Sequence, residues 1–433
     1  MGPSHLTDEV FGITRQLPLN YVSREAVDNK LLDELRAGHH IVIYGSSKQG
    51  KTSLRKKCLD EENYIFVQCS NKSDMGDLHA NILKRAGFEI TQSTKKSSTG
   101  KNKVVASIKA TLKGTLLAIS GSTEALASAE HEKSNTTETI TTTLELDIDD
   151  VNDVIAALKS IDFNKWIVLE DFHYLPYEIQ RDFSVELKAF HESSSITFIV
   201  VGVWLEDNRL IVYNGDLTGR VISVNADHWS ESELQEVITV GGQLLGVTFD
   251  PEFSDAIITS AKESVYIVQE CCRKACLASG IEETSKSPIV VGKGLDVDIL
   301  IKSVVDQQSA RYNSFLVNFA AGFQDTELEM HKWLLYPLLS SSFEQLQRGL
   351  RYREIKNILF EVHPRKGQLN AGNITQSLQS SASLQVKRNI MPIIIDYDQT
   401  NLVLHVVDKG FLIWLQHQDI PELLRDIGLP QIP

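Results

Sequence analysis

The sequence predicts an α/β fold with a parallel β-sheet and crossover helices, followed by a helical unit and a C-terminal domain. Over residues 1–228, short apolar segments alternate with amphipathic segments of helical length. This order connects parallel strands through helices. After residue 297, several helical segments precede two segments of alternating polarity, which predicts helices and then a β-hairpin.

The predicted strands of the sheet are short apolar runs bounded by turn residues. They are residues 40–44, 64–68, 166–169 and 196–203. The segments between them place their apolar residues on one helical face. These predicted helices are residues 21–36, 52–59, 78–86, 149–160 and 178–191.

Residues 93–147 interrupt this alternation with a segment rich in Ser, Thr and Lys. Polarity alternates from position 105 to position 113, and a second Thr-rich run covers residues 137–146. This pattern predicts a β-hairpin inserted in the sheet, with a mobile loop as the alternative.

The second half of the chain reads as a helical unit and a separate C-terminal domain. Ser230 and Glu233 form a capping box that opens a helix, and helices are predicted near residues 251–261 and 264–279. Residues 281–297 read as a linker. Further helices are predicted near residues 298–321, 327–339, 351–362 and 374–384, with strands over residues 390–397 and 402–407.

Composition limits the class of protein. The 433 residues contain 43 Lys and Arg against 57 Asp and Glu, a net charge of −14, which argues against a surface dedicated to nucleic acid. Residues 301–433 contain 13 basic and 13 acidic residues, so the whole negative balance lies in residues 1–300. Five cysteines and no apolar leader predict a reduced, soluble, cytoplasmic protein without a membrane partner.

A glycine-rich motif follows the first predicted strand and precedes a predicted helix, as a phosphate-binding loop requires. It matches the pattern G-x-x-x-x-G-K-[ST], and with the next residue it comprises Gly45, Ser46, Ser47, Lys48, Gln49, Gly50, Lys51, Thr52 and Ser53. Its backbone N–H groups and the helix N-terminus suit phosphate oxygens. Lys51 is predicted to reach the β- and γ-phosphates and the Thr52 hydroxyl to bind Mg²⁺, so the expected cofactors are ATP and Mg²⁺.

Two adjacent carboxylates, Glu170 and Asp171, end the strand predicted at residues 166–169. Such a pair completes a phosphate-loop NTPase site, because one acid holds the hydrated Mg²⁺ and the other polarises the attacking water. Close by, His173 suits either a hydrogen-bonded structural role or a direct one.

These motifs resemble those of the AAA+/STAND group of P-loop ATPases, in particular the branch of origin-recognition initiators, transposition-regulator ATPases and prokaryotic STAND switches. Residues 21–25 are similar to the segment that lines the adenine pocket in this group, which assigns Arg24 to the nucleotide site. The resemblance implies a P-loop ATPase core over residues 1–228, a helical lid over 229–296 and a winged-helix domain over 297–433.

The sequence departs from this group at three places. The usual Asp-Glu order of the paired carboxylates is reversed, which gives Glu170 the metal position and the shorter Asp171 the base position and favours slow hydrolysis. A polar sensor is not evident after the strand at 196–203, where Glu206 and Asn208 are the nearest candidates. In the lid helix, Gln269 stands where a sensor arginine is expected, with Arg273 one turn later.

Residues 216–221 are similar to the segment that carries an arginine finger in AAA+ proteins. Arg220 would then reach the γ-phosphate bound by a neighbouring subunit of a homo-oligomer. The alternative is an ordinary surface arginine held in a salt bridge.

The C-terminal domain carries a local basic excess, with eight basic and two acidic residues between positions 345 and 388. A winged helix with such a face can bind duplex DNA by neutralising phosphates and placing a helix in the major groove. The alternative is contact with the ATPase core or an effector protein. The candidate contacts are Arg351, Arg353, Lys356, Gln376, Gln379, Lys387 and Arg388.

Two functions are therefore predicted. The first is an ATP-binding, slowly hydrolysing ATPase that acts as a nucleotide-controlled, oligomerising switch, which the resemblance associates with prokaryotic anti-phage defence. The alternative is a DNA-binding ATPase of the initiator or transposition-regulator type.

Overall fold

In the part of the chain that this computed structural model describes, the strands form four sheets. The structure describes residues 3–13, 16–92, 103–111, 139–324 and 326–432. The strands are β1 (His40–Tyr44), β2 (Tyr64–Gln68), β3 (Glu89–Gln92), β4 (Lys103–Thr111), β5 (Thr139–Asp147), β6 (Trp166–Glu170), β7 (Phe198–Val201), β8 (Val221–Asn225), β9 (Val247–Phe249), β10 (Ile289–Val291), β11 (Leu350–Arg351), β12 (Ile395–Asp398) and β13 (Val403–Val406).

The α-helices alternate with these strands in the first half of the chain and dominate the second half. They are α1 (Thr7–Phe11), α2 (Glu25–Arg36), α3 (Lys51–Cys58), α4 (Met75–Ala86), α5 (Val151–Ser160), α6 (Tyr177–Ser193), α7 (Arg209–Tyr213), α8 (Glu231–Leu245), α9 (Pro251–Ser260), α10 (Val265–Ala278), α11 (Val297–Val305), α12 (Ser309–Ala320), α13 (Met330–Ser340), α14 (Phe343–Arg348), α15 (Tyr352–Val362), α16 (Ala371–Gln379), α17 (Ser381–Lys387), α18 (Lys409–Gln416) and α19 (Ile420–Asp426).

The central sheet has five parallel strands in the order β2–β6–β7–β1–β8. Its strands are buried because α2 and α3 pack on one face and α4, α5 and α6 on the other. The register places Tyr44 opposite Asn225 and Gln68 opposite Glu170, so the strands end at one common edge. The predicted α/β fold with a parallel sheet is confirmed.

The segment predicted as an inserted hairpin contributes to a separate antiparallel sheet in the order β3–β4–β5. Strands β4 and β5 pair over their whole length, with Lys103 opposite Asp147 and Thr111 opposite Thr139. They do not extend the central sheet. The residues that connect these strands, 93–102 and 112–138, lie outside the described part of the chain.

The helices after residue 230 share one continuous apolar core with the C-terminal region. The prediction of a linker over residues 281–297 is wrong, because β10 pairs in parallel with β9 and Glu283 bridges to Leu6. The apolar, β-branched residues of β10 favour a strand, and the partner strand lies about 40 residues earlier in the sequence.

The C-terminal region combines α13 to α17 with an antiparallel sheet in the order β11–β13–β12. The helix predicted over residues 374–384 is two helices, α16 and α17, which meet at Ser380. The strand predicted from residue 390 begins only at Ile395, because Pro392 lacks the N–H group that a ladder requires. Among the described residues, no helix has both the length and the apolar character to cross a membrane.

Candidate nucleotide-binding site

The glycine-rich loop lies between β1 and α3, at the edge where the parallel strands end. Gly45, Lys48 and Gly50 have positive φ angles of 145°, 63° and 83°. A Cβ atom at Gly45 would lie 2.9 Å from the backbone nitrogen of Asp227, so the loop approaches the chain leaving β8 too closely for a side chain. Residues 47–50 of this loop line one cavity.

That cavity has a volume of about 490 Å³ and brings together distant parts of the chain. The loop residues 47–53, the carboxylates Glu170 and Asp171, and Tyr266 and Gln269 of α10 line it. Apolar residues near the N-terminus, including Phe11 and Ile13, line the same space. The volume lies in the usual range for small-molecule sites, and both charged and apolar residues line it.

Lys51 is buried and its Nζ atom donates hydrogen bonds to the carbonyl oxygens of Gly45 and Ser46, at 2.9 and 2.6 Å. Burial lowers the pKa of Lys51 to about 8, although Asp227, Glu170 and Asp171 act in the opposite direction. The ammonium group therefore lies within the loop, where it can transfer its hydrogen bonds to phosphate oxygens.

Thr52 and Glu170 lie side by side, with 3.1 Å between the Thr52 Oγ1 and Glu170 Oε1 atoms. Arg55, one turn along α3, lies 3.3 Å from the other Glu170 oxygen. Burial raises the pKa of Glu170, and the Arg55 guanidinium opposes this shift. A hydroxyl and a carboxylate are oxygen ligands that Mg²⁺ accepts together with phosphate and water, so these two residues fit the metal predicted here.

Asp171 has a left-handed backbone conformation, with φ of 56°, directly after β6. The Gln68 side-chain amide at the end of β2 donates to Asp171 Oδ2 at 2.7 Å. Burial raises the pKa of Asp171, and the Gln68 hydrogen bond acts against it. The carboxylate is thus positioned at the cavity wall, where it can accept a proton from water.

Aromatic packing fills the space directly after β7, where Glu206 and Asn208 were the nearest candidates for a polar sensor. A Cβ atom at Gly202 would lie only 1.6 Å from the Trp204 ring, so the fully buried indole requires glycine there. Glu206 pairs with Arg209 at 2.9 Å, and Asn208 bonds to Ser223. Neither Glu206 nor Asn208 lines the nucleotide cavity.

Gln269 and Arg273, the two candidates in α10 for a sensor residue, occupy different positions. Gln269 lines the cavity, whereas Arg273 pairs with Asp8 at 2.6 Å and with Glu270 at 3.7 Å. Arg273 is therefore engaged by the N-terminal segment and by its own helix.

Arg24 is fully buried, yet it does not line the cavity. Its guanidinium donates to the carbonyl oxygens of Ala226 and His228 and stacks over the Trp229 ring at 4.2 Å. The Trp229 indole in turn donates to the Gln49 carbonyl at 3.3 Å. Arg24 thus supports the loop from behind, through Trp229, and does not line the cavity as predicted.

Two residues outside the predicted motifs, Asp227 and Glu263, hold the loop in place. Asp227 Oδ1 accepts the Ser46 N–H at 2.6 Å. Burial alone would raise the pKa of Asp227, but Lys409 and the Ser46 bonds hold it below the usual range. Glu263 supplies its carbonyl oxygen to the Gln49 side chain at 2.9 Å, which connects the loop to the turn between α9 and α10. No spacing rule connects these positions to the motif.

The C-terminal region contacts the loop directly. The Ser47 N–H donates to the Val407 carbonyl at 3.0 Å, and Lys409 Nζ lies 3.2 Å from the Asp227 carboxylate and 3.6 Å from that of Glu263. A loop N–H group that suits a phosphate oxygen is thus engaged by the end of β13.

Arg220 lies immediately before β8, at the opposite edge of the sheet from the loop. Its side chain bonds to the Asp216 carbonyl and pairs with Glu192 at 2.9 Å. Arg220 therefore does not reach the cavity of its own chain, and a role on the nucleotide of a second copy stays a prediction.

The seven predicted DNA contacts lie in two parts of the C-terminal region. Arg351 and Arg353, at the start of α15, are exposed, and Lys356 on the same helix is half-buried. The other four lie on or next to α16 and α17: Gln379 and Lys387 line a cavity that faces the parallel-sheet core, Gln376 lines a cleft beside α13, and Arg388 donates to the Gly322 carbonyl at 2.9 Å. A role of these seven residues in DNA binding stays a prediction.

No family model matches the chain, and no curated protein is similar to it in sequence. Solved structures are similar in fold. A Walker-type ATPase of Pyrococcus abyssi has 12% identity and a TM-score of 0.48, with 94% of this chain and 99% of that chain covered. The ORC2 protein of Aeropyrum pernix, solved as ADPNP–ADP complexes, has 12% identity and a TM-score of 0.42 over 96% and 98% of the two chains.

A third similar structure is the CDC6P protein of Pyrobaculum aerophilum, with 11% identity and a TM-score of 0.39 over 97% of this chain and 98% of that one. The RuvB protein of Thermotoga maritima has a TM-score of 0.35. These are likenesses of architecture alone.

Proposed function

We propose that this chain is an ATP-binding P-loop ATPase of the AAA+ type that works as a nucleotide-controlled switch. The observation that carries the proposal is the cavity at the edge of the parallel sheet. It unites a loop of the sequence G-x-x-x-x-G-K-[ST], the Thr52–Glu170 pair and the Asp171 carboxylate. Nucleotide phosphates bind at this place in α/β proteins because strand ends and a helix N-terminus converge there.

Each residue has a defined task in this proposal. Lys51 and the loop N–H groups bind the β- and γ-phosphates, while Thr52 and Glu170 hold Mg²⁺, which neutralises developing charge on the phosphates when bound. Asp171 accepts a proton from the attacking water. Its side chain is shorter than glutamate and is held by Gln68, which supports slow turnover.

ATP binding is tested with Lys51→Ala, using the exposed Lys57→Ala on the same helix as the matched control. We expect Lys51→Ala to weaken ATP binding at least tenfold, because a hydrogen bond to a charged group contributes about 1.5–3 kcal/mol. Calorimetric titration of ATP with Mg²⁺ measures this. Equal affinities of the Lys51→Ala and Lys57→Ala variants would refute the proposed site.

The switch follows from the contacts between the C-terminal region and the loop. For the Ser47 N–H to bind a phosphate oxygen, it must leave the Val407 carbonyl. Lys409 holds Asp227, which itself holds the Ser46 N–H. Nucleotide binding and the position of the C-terminal region are therefore linked through shared hydrogen-bonding groups.

We further propose that ATP changes the assembly of the protein, with Arg220 acting on the nucleotide of a neighbouring copy. The position of Arg220 at the sheet edge opposite the loop supports this, because its partly exposed side chain lies away from the cavity of its own chain. Anti-phage defence is proposed as the setting of this switch on the resemblance of its motifs to those of prokaryotic STAND switches.

Sedimentation of the full chain with Mg²⁺ and ATP, ADP or no nucleotide tests the assembly. Larger particles are expected with ATP and not with Lys51→Ala. Arg220→Ala should keep ATP affinity but lose any concentration-dependent hydrolysis, whereas Arg181→Ala, also an exposed arginine, should keep both. An identical particle size under all three conditions would exclude the oligomerising switch.

A DNA-binding ATPase of the initiator or transposition-regulator type is the second candidate. The order helix, strand, three helices and two strands, with the sheet order β11–β13–β12, supports a winged helix. The exposed Arg351 and Arg353 are available to phosphates. Duplex binding should fall steeply with salt and weaken in Arg353→Ala but not in Lys302→Ala. The absence of binding at low salt with ATP would eliminate this candidate.

A further inference from the structure

Lys48 of the phosphate loop carries a side chain to which the proposed function assigns no task. Its backbone has a φ angle of 63°, in the left-handed region that residues with a side chain seldom adopt. Backbone strain of this kind is concentrated at sites that bind ligands. The side chain of Lys48 is exposed and lines the nucleotide cavity together with Tyr266 and Glu270 of α10. The loop thus contributes two lysine side chains to this cavity, those of Lys48 and Lys51.

The ammonium group of Lys48 contacts an aromatic ring. Its Nζ atom lies 3.9 Å from the centroid of the Tyr266 ring, at the start of α10. Within the described part of the chain, this ammonium makes neither an ion pair nor a hydrogen bond. Its neighbours in the loop differ, because the Ser47 N–H and the Gln49 side chain are hydrogen-bonded. The three N–H donors of the Lys48 ammonium are therefore available to a ligand in the cavity.

The helix α10 provides no cation of its own to this cavity. Among the described residues that line the cavity, none is an arginine. Gln269 of α10 is neutral, and Arg273 pairs with Asp8 and Glu270. Phosphate groups are bound most strongly by charge-assisted hydrogen bonds. Since the Lys48 ammonium lies against α10, it is the cation on the side of the cavity where an arginine is missing.

We propose that the Lys48 ammonium binds the β- or γ-phosphate of ATP and leaves the Tyr266 ring when it does so. This inference rests on the proposed nucleotide site. A hydrogen bond from an ammonium to a phosphate oxygen is stronger than the attraction of the ammonium to an aromatic face, so the phosphate displaces the ring. The contact between the loop and α10 is then present without nucleotide and lost with ATP, which makes Lys48 a sensor of phosphate for the lid.

Titration calorimetry of the full chain with ATPγS and Mg²⁺ tests the role of the charge. Lys48→Met keeps the length of the side chain and its packing on Tyr266 but removes the ammonium. We expect it to weaken binding about tenfold, whereas Lys48→Arg retains a cation and should stay within about threefold of the unmodified chain. Lys57→Met, at an exposed lysine of α3 outside the cavity, is the matched control and should have no effect.

AMP distinguishes a phosphate contact from a contact with the rest of the nucleotide. It lacks the β- and γ-phosphates, so its affinity, measured by displacement of ATPγS, should change less than about twofold in Lys48→Met. A loss for AMP as large as that for ATPγS would assign Lys48 to the base, the ribose or the α-phosphate and would overturn the proposal.

The competition between ring and phosphate has a separate signature in a double-mutant cycle. Tyr266→Leu removes the ring, which frees the ammonium only where Lys48 is present. Its effect on ATPγS affinity should therefore be about threefold more favourable in the unmodified chain than in the Lys48→Met background. Independent effects of the two substitutions would show that the ammonium does not exchange the ring for a phosphate.

The same titrations separate this inference from the proposed ATPase function. Binding that is lost in Lys51→Ala but equal in Lys48→Met and Lys57→Met would refute the role of Lys48 alone. The absence of ATPγS binding to the unmodified chain would overturn both. Lys48 is exposed, so Lys48→Met is expected to fold, and its melting temperature checks this.

Discussion

The phosphate loop and the interface between the core and the C-terminal region are built in opposite ways. The groups of the loop that suit phosphate belong to consecutive residues between β1 and α3. In the interface, Arg209 pairs with Asp396 and Lys409 bonds to Asp227, residues separated by 187 and 182 positions. A local motif and a set of distant pairs thus meet at one edge of the sheet.

The comparison shows that the loop depends on the distant pairs. The Ser46 and Ser47 N–H groups and the Gln49 side chain are bonded to Asp227, Val407 and Glu263 rather than within the loop. The motif provides the chemistry, and residues from the rest of the chain set the orientation of its groups. Three predictions test how strongly the two regions are coupled.

The largest expected effect is a loss of stability when a buried charge is removed from the interface between the core and the C-terminal region. Arg209, Glu206 and Asp396 are each at most 7% exposed at their side chains. Arg209→Met leaves two buried carboxylates unpaired, so we expect a loss of about 3–5 kcal/mol in the free energy of unfolding, measured in urea. Arg181→Ala removes an exposed pair with Asp182 and should cost about 0–1 kcal/mol. Similar losses in both variants would mean that buried charges do not hold the interface.

The second prediction concerns how the affinity of the phosphate loop for ATP depends on pH. Burial lowers the pKa of Lys51 to about 8, so the side chain is charged below that pH and becomes neutral above it. Phosphate favours the charged form. Affinity for ATP should therefore be constant from pH 7 to 8 and then decrease by up to about tenfold per pH unit. Lys51→Ala should not show this decrease, and a flat profile of the unmodified chain up to pH 9.5 would contradict the prediction.

The smallest expected effect concerns Lys409, which links the C-terminal region to the loop. Lys409→Ala removes the cation that holds Asp227 and Glu263 and releases the C-terminal region from the loop. We expect ATP affinity to rise about fivefold, equivalent to about 1 kcal/mol, by calorimetry. Lys332→Ala, whose pair with Glu329 lies away from the loop, serves as the control. A lower affinity in Lys409→Ala would show that this contact supports nucleotide binding instead of opposing it.

Much of the core could be predicted because its signals are local. The strands β1 and β2 have the bounds that apolar runs predict, and the loop has the context that its motif requires. The pairing of β9 with β10 and the division between α16 and α17 could not be predicted. Periodicity identifies a buried face but does not identify what covers it.

The residues of the candidate site could likewise be predicted only in part. Lys51, Thr52, Glu170 and Asp171 line the cavity, while Arg24 does not. Arg55 was missed, although its position three residues after Thr52 places it on the same helical face. Asp227 and Lys409 had no such signal, because their partners are distant in sequence.

The sequence by itself determined the alternation of strands and helices, the phosphate-loop motif and the two carboxylates that follow a strand. Each of these depends on neighbouring residues and on short-range backbone geometry. Only the tertiary structure decided the order of the strands, the contact of Val407 with the loop and the buried pair of Arg209 with Asp396. These features depend on which distant surfaces pack together, and packing is set by the combined shape and charge of many side chains.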